Sequence, residues 1–213
     1  MFAFVFLAEG AVEPLSDFAW PTPKAGEPGA WVSGDTAPRE ARRGYPARDL
    51  PYWLDEELWN VELAGTLTGR DHLLLAERAR LLGRLDAWGD AAAWELVAAC
   101  AQRIARPAAA ALRDQGQAEA ALRLEGATDL AELELAANSA ADRPPPAGTL
   151  AGYVADVCFY ARDAGAAAHG AGVAAKMSAY ALAGDVEDAR YDERLTAERV
   201  WQAAWLVDRL SLR

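Results

Sequence analysis

The sequence is poor in the residues that build disulfide frameworks and metal centres, with two cysteines and two histidines among 213 residues. Two thiols form at most one disulfide, and Cys100 and Cys158 stand in no spacing typical of metal ligands. No stretch of about 18 residues is strongly apolar throughout, and the Ala-rich segment 164–183 is interrupted by His169 and Lys176. These absences exclude a disulfide scaffold and argue against a membrane-spanning helix. We predict no metal and no cofactor.

Basic residues are also scarce. Lys and Arg number 21 against 32 Asp and Glu, which gives a formal net charge of −11 at pH 7. Nucleic-acid binding needs clusters of Lys and Arg that neutralise phosphates, so this composition argues against a nucleic-acid partner. An acidic surface keeps a protein soluble, and it also suits a basic protein partner.

The apolar start of the chain, MFAFVFLAEG, is short, contains no basic residue and ends at Glu9. A signal peptide requires a basic segment before its apolar core, so a β-strand fits these residues better. With no apolar segment long enough to span a membrane, this pattern predicts a cytoplasmic protein.

Residues 1–82 have the composition of a β-rich module. The run FAFVFL is aromatic and β-branched, and LWNVELAG alternates apolar and polar side chains as a half-buried strand does. Gly65 and Gly69 indicate a hairpin turn between this strand and DHLLLAERARLL. The segment ARDLPYWLDEELW predicts a short helical turn, with Asp49 as a candidate cap and Pro51 early in the helix.

Residues 83–213 read as an α-helical bundle, because Ala, Leu and spaced charges replace the β-branched runs. Pro107 must kink or split the first long helix, and Thr128 is a candidate N-cap further along. The Pro-rich segment 143–148 is a connector. For the last helix the sequence predicts a cap at Asp185. It also predicts a buried face on that helix, formed by Ala197, Val200, Trp201, Ala204, Trp205 and Val207. The expected fold class is α+β, with the β-rich module packed on the bundle.

The stretch DAGAAAHGAGVAAKMSAYALAG, residues 163–184, allows two interpretations. Its Ala and Gly residues let helix axes approach closely, which favours a packing role. Alternatively, His169, Lys176 and Tyr180 form a small catalytic cleft with a carboxylate such as Asp163 or Asp156, and the imidazole acts as a general base. The sequence contains no nucleophile elbow, no metal-ligand spacing and no phosphate-binding loop beside them. The packing interpretation is therefore preferred, and we assign no catalytic residue.

Exposed aromatic residues beside acidic ones are the best candidates for a binding surface, since Trp and Tyr dominate interface hot spots. The sequence places such a group at Tyr52, Trp53, Asp55, Glu56 and Glu57. Trp59 is a third aromatic candidate, for which a role in joining the module to the helices is preferred. The aromatic residues of this region could instead join the module to the helices, and the carboxylates could be simply solvated. The local basic patch at 39–43 meets an acidic partner or pairs within the chain with Asp35, Glu40 and Asp49.

Residues 44–82 resemble a small β-rich module of uncharacterised function. The matching residues are Gly44, Asp49, Leu50, Val61, Glu62, Gly65, His72, Ala76 and Leu81. Where that module carries a His and a Cys, this chain reads Tyr45-Pro46-Ala47-Arg48. The resemblance therefore implies a β-rich fold here without a metal or thiol role.

The Ala-rich C-terminal part is similar to helical immunity proteins of bacterial toxin systems. These proteins end in a Q-x-x-W-L-V-x-R-L helix, matched here by Gln202, Trp205, Leu206, Val207, Arg209 and Leu210. The resemblance implies a protein that neutralises a partner by binding it, with no active site of its own.

The sequence thus predicts a non-enzymatic, regulatory, protein-binding function with an unknown partner. The alternative is a small-ligand-binding protein or enzyme that uses a cleft between the two halves around His169. A third possibility is a homo-oligomer in which the Ala/Gly helix pairs across a two-fold axis.

Overall fold

The computed structural model describes residues 1–14, 16–24, 26–34 and 42–212. In these ranges the chain forms an antiparallel five-stranded sheet followed by α-helices, which confirms the predicted α+β class. The strands are β1 (Phe2–Leu7), β2 (Val32–Ser33), β3 (Arg42–Gly44), β4 (Glu57–Arg70) and β5 (Leu73–Arg84). The helices are α1 (Asp90–Asp114), α2 (Ala118–Gly126), α3 (Leu130–Ala141), α4 (Ala147–Asp163), α5 (Ala167–Ala183) and α6 (Tyr191–Leu210). A short 3₁₀ helix, Ala47–Tyr52, lies between β3 and β4.

The chain divides into two compact units, one of residues 1–89 with 200–213 and the other of residues 90–199. The predicted division between residues 82 and 83 stays a prediction. In the described part of the chain, no helix combines the length and the apolar character needed to cross a membrane.

The sheet is built around the long hairpin of β4 and β5. Strand β1 pairs with β4, and the short strands β2 and β3 pair with β5. Directly after β3, Tyr45 exchanges backbone hydrogen bonds with Phe4 of β1, so the sheet curls back toward its first strand. The inner face is apolar and fully buried at Val61, Leu63 and Leu81, as the alternation in LWNVELAG predicts.

Gly44 lies at a close approach of strands in this curled sheet. A Cβ atom at this position would lie 3.0 Å from the Leu63 side chain, 3.1 Å from Ala3 and 3.3 Å from Val61. A side chain at this position would require these neighbours to shift by a few tenths of an ångström, and glycine avoids that adjustment.

The hairpin turn between β4 and β5 lies at Asp71 and His72, so the predicted turn between Gly65 and Gly69 is wrong. Gly65 instead lies where the β4–β5 register shifts between Ala64 and Leu67, and its φ is +84°. Glycine adopts this left-handed conformation without strain, which is why it marks β-bulges as well as turns.

In the helical unit, α1 packs against α2, α4 and α5, and α4 also packs against α3 and α5. Pro107 does not split α1, which is one element from Asp90 to Asp114. Residues on both sides of Pro107, including Ile104 and Ala108, are completely buried. Packing therefore outweighs the loss of one backbone hydrogen bond at the proline.

Most of the Ala/Gly stretch forms helix α5, which begins at Ala167. The first residue of the stretch, Asp163, is the last residue of α4. Its small residues do allow close contact between these two helices. A Cβ atom added at Gly170 would lie 2.5 Å from the carbonyl oxygen of Ala161. The predicted packing role of the stretch is confirmed at this contact.

Two predicted helix starts are wrong. Asp129, not Thr128, caps α3, since its carboxylate accepts the Glu132 N–H at 2.8 Å. Helix α6 begins at Tyr191, and Asp185 accepts from the Glu187 N–H in the preceding turn.

The predicted buried face of α6 is also wrong. Its most buried residues are Glu198, Arg199, Gln202, Ala203, Leu206 and Leu210. Val200 is 63% exposed, and Trp201 and Trp205 are half-buried. The polar residue Glu198 is tolerated inside because Arg103 of α1 pairs with it.

Candidate functional site

A candidate site lies where the hairpin turn of the sheet meets the 3₁₀ helix. The turn residues Asp71 and His72 both have left-handed backbones, with φ of +41° and +67°. Asp and His adopt this conformation more readily than most residues with side chains. The turn thereby positions the His72 side chain beside the 3₁₀ helix.

His72 forms a pair with Asp49. The imidazole Nδ1 lies 3.0 Å from Asp49 Oδ1, and the Asp49 side chain is 13% exposed against 50% for His72. An ionised carboxylate only accepts hydrogen bonds, so Nδ1 carries the proton that is donated to it. This fixes the ring orientation and leaves Nε2 as the ring nitrogen for contact with another molecule.

Two aromatic residues hold the same turn in place. The Tyr52 ring stacks on the His72 imidazole with centroids 3.9 Å apart and planes within 7°. Trp53 donates its indole N–H to the His72 carbonyl oxygen at 3.0 Å and stacks on Tyr45 at 4.9 Å. We call Asp49, Tyr52, Trp53 and His72 the Tyr52–His72 surface. Several independent contacts fix its geometry before any partner arrives.

The Tyr52–His72 surface is accessible, and Arg48 places a positive charge beside it. Tyr52 is 38% exposed, and the side chain of Arg48 is 84% exposed while its Nε lies 3.5 Å from Asp49 Oδ2. Behind it, burial raises the pKa of the Tyr45 phenol above its usual value, so this hydroxyl stays protonated at neutral pH.

The three predicted carboxylates next to this surface differ in their surroundings. Glu57 is 7% exposed and accepts from the Ala11 N–H at 3.0 Å and from Arg84 at 2.8 Å. Glu56 is half-buried and accepts from the Glu9 N–H at 2.6 Å. Asp55 is half-buried and accepts from the Glu56 N–H at 2.8 Å. Of the five predicted binding residues, Tyr52 is the most exposed.

The residues of the alternative catalytic cleft lie along one helix surface. His169, Lys176 and Tyr180 are all exposed on α5, at spacings of seven and four residues. Asp163 is exposed at the end of α4. The helix thus gives these side chains a common exposed stripe.

Both cysteines lie in the interior of the helical unit. Burial raises the pKa of Cys100 and Cys158 to about 12, so both thiols are protonated and unreactive at neutral pH. Across the residues that the structure describes, no group of three or more His, Cys, Asp or Glu side chains is arranged to hold a metal ion.

The basic patch at 39–43 is described only at its end. Arg42 and Arg43 contact Glu13 at 3.5 Å and 3.8 Å, so these two residues pair within the chain. Residues 39–41, with the proposed partners Asp35 and Glu40, lie outside the described residues.

Sequence reasoning did not group His72 with Asp49. The two residues are 23 positions apart in sequence, and His72 lies in the observed hairpin turn, beyond the predicted one. The available signal was the pair Asp71-His72, since both residues tolerate left-handed turn positions.

No family model matches the chain, and comparisons with curated proteins and with solved structures find no match either.

Proposed function

We propose that the chain is a cytoplasmic, non-enzymatic protein that regulates a partner protein by covering part of its surface, with the Tyr52–His72 surface at the centre of the contact. The observation that supports this most is Tyr52, which is exposed yet held flat against His72. Aromatic side chains that are already ordered lose little conformational entropy on binding, and they dominate interface energies.

The charge of the chain supports a basic partner. The formal net charge of the chain is −11, which attracts basic proteins to the chain as a whole and repels acidic ones. Asp55 and Glu56 lie close in sequence to Tyr52 and are half-buried, so they belong at the rim of the contact. Glu57 is buried, and we assign it to the stability of the first unit.

The resemblance of the C-terminal helices to immunity proteins motivates the regulatory part of the proposal. An immunity protein acts by occlusion and needs no reacting group. The protonated thiols and the exposed stripe of His169, Lys176 and Tyr180 are compatible with such a role.

The test compares two exposed tyrosines. The wild-type protein, Tyr52→Ala and Tyr180→Ala are used to capture partners from a lysate of the source cells, with identification by mass spectrometry. Tyr52 is 38% exposed and Tyr180 43%, so the two substitutions remove similar accessible area. We expect one stoichiometric protein partner, a loss of about tenfold or more in affinity for Tyr52→Ala, and no change for Tyr180→Ala.

Circular dichroism of each variant shows whether its fold is preserved. Equal capture by both variants would contradict the proposed surface. Capture of the chain by itself, together with a dimer in light scattering, would replace the proposal by the homo-oligomer.

A further inference from the structure

Two neighbouring cavities of the helical unit share part of their lining. One has a volume of about 410 Å³ and the other about 720 Å³. Pro145, Thr149 and Tyr153 line both. A ligand could therefore occupy both cavities at once, with Tyr153 beside it in each. Both cavities are open to solvent, and their volumes are large enough to hold a small molecule.

The smaller cavity has one cationic and one anionic side chain in its lining. Arg143 and Asp156 are both exposed there. Within the described residues, neither takes part in an ion pair, with the other or with a third residue. Two opposite charges that line one cavity without pairing with each other are both available to a ligand. A ligand with one positive and one negative group can pair with both.

The larger cavity offers mainly apolar walls, from Pro107, Pro146, Leu150 and Leu182. The charged residues in its lining already have partners. Arg194 pairs with Asp188, and the carboxylate of Asp185 accepts from the Glu187 N–H at 3.0 Å. The apolar part of this lining therefore suits an apolar group.

We propose that these cavities form a binding site for a free α-amino acid with a large apolar side chain. The ammonium group lies at Asp156, the carboxylate at Arg143, and the side chain extends past Tyr153 into the larger cavity. A simple anion would be attracted by Arg143 but repelled by Asp156. A simple cation would be attracted by Asp156 but repelled by Arg143. A zwitterion satisfies both.

This site lies entirely within residues 90–199, and it does not depend on the proposed partner-binding surface. It adds a small-molecule ligand to the helical unit. A result that contradicts one proposal therefore does not contradict the other.

The first test titrates the full-length protein with phenylalanine and follows ¹⁵N-labelled amides by NMR. We expect saturable shifts around 143–156 with a Kd of about 1 mM or tighter. N-acetylphenylalanine lacks the ammonium charge, phenylalanine amide lacks the carboxylate, and alanine lacks the large side chain. Each should bind at least about tenfold more weakly, since a charge-assisted hydrogen bond or a buried side chain contributes that much.

The second test uses matched variants. Asp156→Asn should weaken phenylalanine binding about tenfold, whereas Asp114→Asn, at an exposed position that lines neither cavity, should leave it unchanged. Gly152→Phe should block the site, because a Cβ atom at Gly152 has no neighbour within 4 Å and the side chain would occupy the smaller cavity.

The proposal is overturned if phenylalanine gives no saturable shift. It is also overturned if the acetylated and amidated analogues bind as tightly as phenylalanine, or if Asp156→Asn and Asp114→Asn behave alike. Thermal unfolding of each variant separates loss of binding from loss of fold.

Discussion

Replacing Glu57 by alanine lowers the free energy of unfolding by about 3–5 kcal/mol. The Glu57 carboxylate accepts hydrogen bonds from the Ala11 N–H at 3.0 Å, the Trp59 indole N–H at 3.0 Å and Arg84 at 2.8 Å. Ala11 and Trp59 are buried, so their donors would lose a partner where water does not readily replace it. The loss exceeds that of a surface ion pair because several donors converge on one buried carboxylate.

The matched control is Glu57→Gln, which keeps the size of the side chain and one oxygen acceptor. We expect it to cost about 1–3 kcal/mol, less than the alanine variant, because only the charge and one acceptor are removed. Urea denaturation followed by tryptophan fluorescence measures both. If the free energy of unfolding of Glu57→Ala lies within about 1 kcal/mol of the wild-type value, the hydrogen bonds of the carboxylate do not contribute the predicted stability.

Removing Arg103 should be comparably severe. Its Nε and Nη2 lie 2.8 Å and 2.7 Å from Glu198 Oε2, and Glu198 is 2% exposed. The other oxygen, Oε1, is buried and has no hydrogen-bond partner among the residues that the structure describes. Arg103→Ala therefore leaves a buried carboxylate without its cation, which costs about 3 kcal/mol.

A double variant separates charge burial from packing. Replacing both residues by methionine removes the pair without leaving a lone charge, so most of the lost stability should return. Thermal and urea unfolding of the single variant, the double variant and the wild type give the comparison. If the double variant is no more stable than Arg103→Ala, the cost comes from lost packing of the arginine stem.

Local patterns in the sequence predicted elements well. Alternation in LWNVELAG indicated a strand with one buried face, and Val61 and Leu63 are buried as expected. The small residues before and after His169 indicated close helix packing, which the contact of Gly170 with Ala161 confirms.

Features that depend on distant residues were missed. Gly65 marks a bulge and not the hairpin turn, because the register of β4 and β5 depends on side chains along both strands. The buried face of α6 includes Glu198 because Arg103 pairs with it. Arg103 lies 95 residues away in sequence, so the pattern within α6 does not show this partner. The same holds for the Tyr52–His72 surface, where Asp49 and His72 belong to different elements. Periodicity within one segment contains no information on such pairs.

The most direct test of the binding function maps the captured partner on the unmodified protein. Hydrogen–deuterium exchange with mass spectrometry is recorded for the free protein and for the complex. We predict that the partner slows exchange in peptides that cover 47–53 and 69–75 and leaves 176–183 unchanged. Slower exchange at 176–183, with none at the 3₁₀ helix and the hairpin turn, would contradict the assignment of the Tyr52–His72 surface.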